Sequence, residues 1–307
     1  MILSSYDFAK SFGTEREKID EYCNDLITRY PLSYEYIHGY RRDKLILSIL
    51  KRIDEDTQKI ATPERKIVWS NGWQENLDLF KKSDGGMKAL IPKFIRFGQA
   101  MRFNQEYIQP DQDDFELRFF QILRQWLFET YIPNAECMYE FGCGTGFNLV
   151  AASQLFPDIA LYGSDFVESA CQLVNAIANK YSLNLEGYLF DMINPNDSLP
   201  IYPNSVVFTI GAIEQLGGKF HKFIDYLIRN KPMTVVHVEP TIELYDLNVL
   251  EDYLAYKFQT KRGYTTGLLP HLQQLDKQGI IKLEKVKRLY VGSLFMEGYN
   301  LIVWRPL

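Results

Sequence analysis

The sequence predicts an α/β fold with a seven-stranded, mostly parallel sheet, and two observations support this prediction. From residue 115 onward, short apolar runs alternate with stretches of helical periodicity. Such alternation is typical of parallel strands joined by right-handed crossovers. In the tail, only a short glycine-containing stretch separates the apolar runs 283–290 and 299–304, which predicts a C-terminal antiparallel hairpin.

Each element of the sheet domain has its own signal. Residues 115–131 are apolar nearly all round, as expected for a helix packed between a sheet and another layer, and Pro133 follows their end. Residues 241–281 interrupt the alternation and predict extra helices. The predicted strands are 138–141, 160–163, 186–190, 205–210 and 234–238, and helices are predicted around 148–155, 168–181 and 222–229.

Residues 1–113 show helical periodicity only and predict a helical N-terminal lobe, distinct from a catalytic domain over 114–307 with the insertion 241–281. Helices are expected over 15–30 and 41–53. In the polar, aromatic-rich stretch 69–92, the Gly-Gly pair at 85–86 predicts a loop. The lobe precedes the catalytic domain directly, so we expect it to cover an acceptor pocket. The sequence leaves the oligomeric state open, a homodimer included.

Composition argues against several classes of function. The chain of 307 residues has a net charge of −5 and a pI near 5.5, which disfavours nucleic-acid binding because phosphates need a basic face. No window approaches the ~18–20 apolar residues of a membrane span, and the first residues do not resemble a signal peptide. We therefore expect a cytoplasmic protein. The four cysteines form no CxxC pair, which predicts reduced thiols and no metal site.

A glycine-rich turn follows the first predicted strand. Residues 140–148 read EFGCGTGFN, directly before a predicted helix. Glycine gives the main chain unusual dihedral angles and lets a ligand approach it closely. The dinucleotide fingerprint GxGxxG does not fit, because its third glycine would be Phe147 in one register and Leu149 in the other. The motif is ExGxGxG, starting at Glu140, and it predicts a cofactor-binding turn.

The five parallel strands each bring a carboxylate to one edge of the sheet, where ligands of open α/β sheets bind. After Glu140, the strand ends supply Asp165, Asp191, Glu214 and Glu239. A pyrophosphate at this edge would meet like charges, and no lysine or arginine in these loops would offset them. A cationic ligand suits the edge better. S-adenosylmethionine carries a sulfonium and an ammonium group, and its ribose and adenine offer donors to carboxylates.

Residues 138–240 resemble the class I S-adenosylmethionine-dependent methyltransferases, which have a Rossmann-like sheet. The resemblance implies that Glu140 orients the turn or meets the methionine amino group, and that Asp165 accepts from the ribose hydroxyls. It implies that Asp191 accepts from adenine, with Phe166 and Met192 flanking the ring. The family pattern often has a helix where residues 192–204 form a loop rich in Pro and Asn. The implied cofactor-binding residues are Glu140, Gly142, Gly144, Gly146, Asp165, Phe166, Asp191 and Met192.

Methyl transfer from a sulfonium is an in-line displacement, so alignment and a general base are the expected devices. The candidate bases are Glu214, His237 and Glu239. His237 and Glu239 share one face of a strand, where the histidine is either a base with a carboxylate partner or a hydrogen-bonded group within the sheet. Arg102 and Tyr107 are candidate acceptor-binding residues for a carboxylate or phosphate, while the acids and aromatics would equally suit a cationic acceptor.

The sequence therefore predicts a methyltransferase that acts on an O or N atom of a polar small molecule. Three alternatives stay open. The acceptor could be a peptide or protein side chain. The chain could instead be a nucleotide-binding oxidoreductase on a similar sheet, or a non-catalytic relative that binds the cofactor and acts as an interaction protein.

Overall fold

The computed structural model describes residues 1–93, 95–197 and 199–307. Its helices are α1 (Ser5–Phe12), α2 (Arg16–Arg29), α3 (Gly39–Glu55), α4 (Pro63–Lys82), α5 (Phe115–Tyr131), α6 (Phe147–Leu155), α7 (Glu168–Tyr181), α8 (His221–Asn230), α9 (Leu250–Arg262) and α10 (Leu268–Lys277). Its strands are β1 (Tyr34–Tyr36), β2 (Met101–Phe103), β3 (Glu106–Pro110), β4 (Cys137–Phe141), β5 (Ala160–Asp165), β6 (Leu185–Leu189), β7 (Ser205–Ile210), β8 (Thr234–Glu239), β9 (Ile281–Lys287), β10 (Val291–Gly292) and β11 (Asn300–Pro306). None of these helices combines the length and apolar character that crossing a membrane requires.

The larger sheet has seven strands in the order β6-β5-β4-β7-β8-β11-β9. Strands β4 to β8 pair in parallel, and β11 pairs antiparallel with both β8 and β9. The central strands are apolar along their length because helices cover both faces of the sheet, and all six residues of β7 are buried. The predicted fold class is confirmed, including the antiparallel C-terminal hairpin.

Among the described residues of the N-terminal region, there are four helices, and α2 and α3 match the two that the sequence predicts. The region also contains three short strands, which the prediction of a purely helical lobe does not include. Strands β1, β3 and β2 form an antiparallel sheet with β10, which comes from the C-terminal part of the chain. Strands of three to five residues are too short for an alternating pattern to stand out. Four strands from two distant parts of the sequence therefore form one sheet beside the site.

Helix α4 occupies the first part of the polar, aromatic-rich stretch 69–92, for which no helix is predicted from the sequence. Leu77 and Phe80 are buried on its inner face, and the Ser169 hydroxyl of α7 donates to the carbonyl of Ser70 at 3.0 Å. These tertiary contacts keep the helix formed despite its polar composition. The Gly85–Gly86 pair follows its C-terminus, where the chain does turn.

One continuous apolar core connects the N-terminal region with the large sheet. Phe8 and Phe12 of α1 pack on Phe119 and Trp126 of α5, with ring centroids 5.5 Å (Phe8–Phe119) and 5.1 Å (Phe12–Trp126) apart. The same cluster extends to Val206 of β7. Helix α5 thus forms the layer between the sheet and the first two helices. Ser198, in the loop rich in Pro and Asn, lies outside the described residues.

Candidate functional site

The glycine-rich turn lies between β4 and α6 at the carboxyl edge of the large sheet. Gly142, Gly144 and Gly146 have φ angles of 76°, 53° and 72°. A β-carbon on Gly142 would lie 2.4 Å from the Ala212 β-carbon, so no other residue fits there without a backbone shift. The amides of Gly142 and Cys143 both donate to the Ser164 carbonyl, at 2.7 and 3.0 Å. These bonds hold the turn against the end of β5.

Asp165 supports the turn from β5. Its Oδ2 accepts from the Gly144 amide at 3.1 Å and its Oδ1 from the Val167 amide at 3.2 Å. Burial raises the pKa of Asp165 to about 6 although these amides favour the ionised form. Because each carboxylate oxygen can accept more than one hydrogen bond, Asp165 can hold the turn and still bind a hydroxyl group.

Glu140 lies at the end of β4 and is almost completely buried. Its Oε1 accepts from the Asn148 side chain at 2.7 Å, while Oε2 is buried without a hydrogen-bond partner among the described residues. Burial raises the pKa of Glu140 to about 8, against the opposing effects of Asn148 and the positive charge of Arg124. An orphaned carboxylate oxygen in a cavity wall fits a ligand that carries an ammonium group.

Glu239 at the tip of β8 is a buried acceptor for the turn that follows β7. Its Oε1 accepts from the amides of Ala212 and Ile213 at 3.0 and 3.1 Å, and its Oε2 from the amide of Glu214 at 3.3 Å. The carboxylate is 1% exposed and lines neither of the cavities described below. The structure therefore corrects its assignment as a candidate base: Glu239 positions Glu214.

His237 is also corrected, because the structure places it inside the sheet. Trp304 Nε1 donates to His237 Nε2 at 2.9 Å, so the proton lies on Nδ1, which is 2.9 Å from the Thr209 hydroxyl oxygen. Burial lowers the pKa of His237 to about 3. Both ring nitrogens are occupied and the side chain lines neither cavity. Of the three candidate bases, only Glu214 faces the cleft.

Two adjoining cavities form a cleft along the carboxyl edge of the sheet. The larger has a volume of about 540 Å³ and the smaller about 100 Å³. Both are lined by Gly142 of the glycine turn and by Gly211 and Gln215 beyond β7. Glu140, Gly144 and Glu214 line the larger cavity only. Ligands of open α/β sheets bind at this edge, so the cleft is the candidate site.

The smaller cavity brings together four of the residues expected at the cofactor. Asp165, Phe166, Asp191 and Met192 all line it. Asp191 is exposed, and its Oδ1 accepts from the Ile193 amide at 2.8 Å. Gly146 lines neither cavity, because its position packs against Val174 of α7. The glycine turn and the ends of β5 and β6 thus converge as the sequence predicts.

Arg102 and Tyr107, the candidate acceptor-binding residues, are buried away from the cleft. Arg102 Nη2 lies 3.1 Å from Asp252 Oδ1, and its Nη1 donates to the Glu251 carbonyl. Tyr107 has no exposed surface, and burial raises its pKa to about 12. Neither residue lines either of the two cavities of the cleft. The structure therefore corrects this prediction: both residues belong to the packing between β2, β3 and α9.

Sequence reasoning missed a stacked set of side chains on α4 that lines both cavities. The Arg65 guanidinium carbon lies 5.2 Å from the Trp69 ring centroid, and the rings of Trp69 and Trp73 stack at 5.3 Å. Trp73 also covers the glycine turn, since a β-carbon on Gly144 would lie 2.9 Å from its ring. The signal was present: Arg65, Trp69 and Trp73 are spaced four residues apart, so they share one face of a helix.

Among the other polar residues of the larger cavity, Glu116 and the tyrosines Tyr264 and Tyr299 lie in its wall. Tyr299 donates to Glu116 Oε1 at 3.0 Å, and burial raises the pKa of Glu116 to about 7. Tyr264, at the C-terminal end of α9, lines the wall near Glu214. Glu214 accepts from the Gln215 side chain at 2.8 Å. Burial and the charge of Glu239 raise the pKa of Glu214 to about 8.

The strand order, the antiparallel last strand and the glycine turn after the first strand of the sheet together define the fold of the class I S-adenosylmethionine-dependent methyltransferases.

Of three solved structures to which the chain is similar, two are named as methyltransferases and the third has a name that states no activity. A SAM-dependent methyltransferase from Aquifex aeolicus matches with a TM-score of 0.41 and 15% identity, over 59% of this chain and 88% of that one. The PH0226 protein from Pyrococcus horikoshii OT3 gives 0.47 and 12%, over 64% and 93%. The 16S rRNA methyltransferase RmtF, in complex with S-adenosyl-L-homocysteine, gives 0.44 and 12%, over 95% and 91%. No protein-family model and no curated protein matches the sequence.

Proposed function

We propose that the protein is an S-adenosylmethionine-dependent methyltransferase that methylates an O or N atom of a polar small molecule. The observation that carries the proposal is the cleft itself. Its smaller cavity presents Asp165 and Asp191 beside the glycine turn, and its larger cavity is lined by Glu140, whose buried Oε2 has no hydrogen-bond partner among the described residues. Carboxylates at both ends fit a ligand with a ribose diol, an adenine amino group and a cationic methionine end.

The residues of the cleft divide the binding of the cofactor between them. Asp165 would accept from the ribose hydroxyls, Asp191 from the adenine amino group, and Glu140 Oε2 from the ammonium group. Phe166 and Met192 lie in the wall where the adenine ring would be placed. Trp73 lies over Gly144, so the methionine part would be held between the glycine turn and α4.

When bound, S-adenosylmethionine supplies an electrophilic methyl carbon: the lone pair of the acceptor forms the new bond, and the electrons of the broken carbon–sulfur bond stay on sulfur. Glu214 then takes the proton that the acceptor loses. It lines the larger cavity next to Gln215, which lines both cavities, and Glu239 accepts from its backbone amide. The volume of about 540 Å³ leaves room for a small acceptor beside the methionine part.

The first test is calorimetric titration with S-adenosylhomocysteine and with NADH. We expect saturable binding of the former only, because Asp165 and Asp191 in the smaller cavity repel a pyrophosphate and the glycine turn lacks the GxGxxG spacing. The Asp191→Ala variant should bind S-adenosylhomocysteine about tenfold more weakly, since it loses a hydrogen bond to a charged group. Asp191 is exposed, so the fold should survive the substitution.

Asp197→Ala is the matched control for this test. Asp197 is exposed in the same loop and lines neither cavity, so its loss should leave the affinity unchanged. Binding of NADH in place of S-adenosylhomocysteine would favour the oxidoreductase alternative. Saturable binding without transfer to any of a broad set of hydroxyl and amine compounds would favour the non-catalytic alternative.

A further inference from the structure

The larger cavity contains more unpaired positive charge than the acidic edge of the sheet suggests. Four arginines line it, and Arg262 is the one that is paired, 2.6 Å from Asp56 Oδ2. Within the described part of the chain, Arg52, Arg65 and Arg96 form no ion pair within 4.0 Å. These three arginines line the same cavity without a fixed ion-pair partner among the described residues; Arg52 and Arg96 are exposed and Arg65 is partly buried.

The acids that line the same cavity do not offset this charge. Asp56 is used by Arg262, and Glu116 is buried against the Tyr299 hydroxyl. Burial raises the pKa of Glu116 to about 7 and the pKa values of Glu140 and Glu214 to about 8, so near neutral pH Glu140 and Glu214 are mostly protonated and Glu116 is partly protonated. The remaining acid of the wall, Glu55, is exposed to solvent. Arg52 and Arg96 are exposed as well, so the partly buried Arg65 is the positive charge that stays unpaired within the cavity.

Arg65 is the arginine placed to bind a substrate group. Its guanidinium rests on Trp69, its Nη2 reaches only Gln215 Oε1 at 3.5 Å, and its Nε is buried without a partner among the described residues. Gln215 in turn donates to Glu214 at 2.8 Å. Arg65 is thus held in place by stacking on Trp69 and has unused hydrogen-bond donors. Gln215 links it by hydrogen bonds to Glu214, the proposed proton acceptor.

We infer that the acceptor is a small molecule that carries an oxyanion, a carboxylate or a phosphate-type group, bound by Arg65 while its hydroxyl group lies beside Glu214. Arg52 and Arg96 line the same cavity and provide the positive field that attracts such a molecule. The planar guanidinium of Arg65 can bind two oxygens of either group at once. This inference rests on the proposed function, because Glu214 matters only if a methyl group is transferred.

The test first measures the binding of S-adenosylhomocysteine, and absence of that binding would mean that the proposed function fails. The protein saturated with S-adenosylhomocysteine is then used for the second step. Calorimetry then compares three ligands that share one phenol and differ in charge: 4-hydroxyphenylacetate, 4-hydroxyphenylacetamide and tyramine. We expect the anion to bind at least about tenfold more tightly than the amide, and tyramine to bind most weakly. The phosphonate analogue 4-hydroxybenzylphosphonate shows whether the site prefers a carboxylate or a phosphate-type group.

The variant Arg65→Gln should abolish the preference for the anions, and because Arg65 also lines the smaller cavity, the affinity for S-adenosylhomocysteine should fall as well but by a smaller factor. The matched control is Arg41→Gln, an exposed arginine of α3 that pairs with Glu35 outside the cavity, and it should behave as wild type. Tighter binding of tyramine overturns the inference, as does no binding of either anion up to about 10 mM. An equal loss of cofactor affinity in Arg65→Gln, or preferential binding of a short single-stranded RNA, also overturns it.

Discussion

At the scale of single residues, the acids of the sheet edge have different roles although they occupy similar places in the sequence. Asp165 and Glu239 are occupied by backbone amides and hold loops in place. Glu140 and Glu214 each line the larger cavity. The difference arises from which amides lie within reach, and that depends on contacts between distant parts of the chain.

The affinity for S-adenosylhomocysteine should rise with pH up to about 8, because Glu140 has a pKa of about 8 in the free protein. A bound ammonium group favours the carboxylate, so binding below this pH releases a proton. The gain is at most tenfold per pH unit for one proton. Calorimetry in buffers of different ionisation enthalpy measures the released proton directly.

The Glu140→Gln variant should bind more weakly and lose this dependence on pH. Glu136→Gln is a suitable control, since Glu136 is exposed just before the opposite end of β4. If the wild-type affinity is constant between about pH 6 and 8, or if Glu140→Gln keeps the slope, the ammonium group does not lie at Glu140.

Glu214→Gln should reduce the rate of methyl transfer about 100-fold with little change in cofactor affinity, because general bases contribute about 10²–10⁴-fold. Its pKa of about 8 predicts that the wild-type rate rises with pH as the carboxyl group loses its proton. A bound cation favours the ionised form, so the midpoint should lie at or below that value. Single-turnover rates across pH, measured with an acceptor found by screening, test both points.

Glu239→Gln is the comparison for that experiment. An amide can no longer accept at both positions from the backbone of residues 212–214, so cofactor affinity and turnover should fall together. The role of Glu214 as the base would be refuted by a pH–rate profile that Glu214→Gln leaves unchanged.

The positions of the carboxylates and glycines could be predicted because each has a local signal. Each carboxylate follows an apolar run, and the glycines recur at every second residue from 142 to 146. The roles of His237 and Arg102 could not be predicted. Both side chains are charged or titratable and lie at sequence positions typical of site residues. Only the tertiary structure shows that His237 is hydrogen-bonded to Trp304 and Arg102 to Asp252. Local patterns show where a polar residue stands in a strand, and its partners decide what it does.

At the scale of elements, the long and strongly patterned segments were predictable and the short or polar ones were not. The bounds of α5 and β7 agree with the apolar runs from which they are predicted. Helix α4 has a weak apolar pattern, with Gly72 in its middle, and is stabilised by contacts to α7. Its polar composition therefore hid the element that closes one side of the cleft.

Helices α3 and α9 shape the far wall of the larger cavity, where their C-terminal ends meet. The ion pair between Asp56 and Arg262 joins them at 2.6 Å, and the amide of Thr265, just after α9, donates to the Glu214 carbonyl at 3.0 Å. The region 241–281 thus reaches the residue proposed as the base. Its two helices were expected, but this contact depends on how they fold back over the sheet.

At the scale of the whole molecule, a buried cluster of charges joins the N-terminal sheet to α9 and to the segment before β11. Asp252 is fully buried and contacts Arg102 at 3.1 Å and Arg288 at 2.5 Å. Burial tends to raise the pKa of Asp252, but the hydrogen bonds and charge of Arg288 outweigh it and keep the pKa below its usual range. Glu297 is a second acid paired with Arg288, at 2.7 Å.

Asp252→Asn should lower the free energy of unfolding by about 3–5 kcal/mol, because it leaves two buried guanidinium groups short of a counter-charge. Urea unfolding monitored by circular dichroism measures the loss. Glu284→Gln, which removes an exposed pair with Arg305, should cost less than about 1 kcal/mol. Similar losses in the two variants would mean that the buried cluster adds no more than a surface pair.

The small sheet also has a consequence for how the chain is made on the ribosome. Strands β1, β2 and β3 emerge early, but their partner β10 is translated only at Val291 and Gly292. Until then the outer edge of β2 has unpaired amides and carbonyls, and open strand edges attract other chains. The nascent protein thus passes through a long interval in which its first third cannot finish folding, and protection by a chaperone would matter most there.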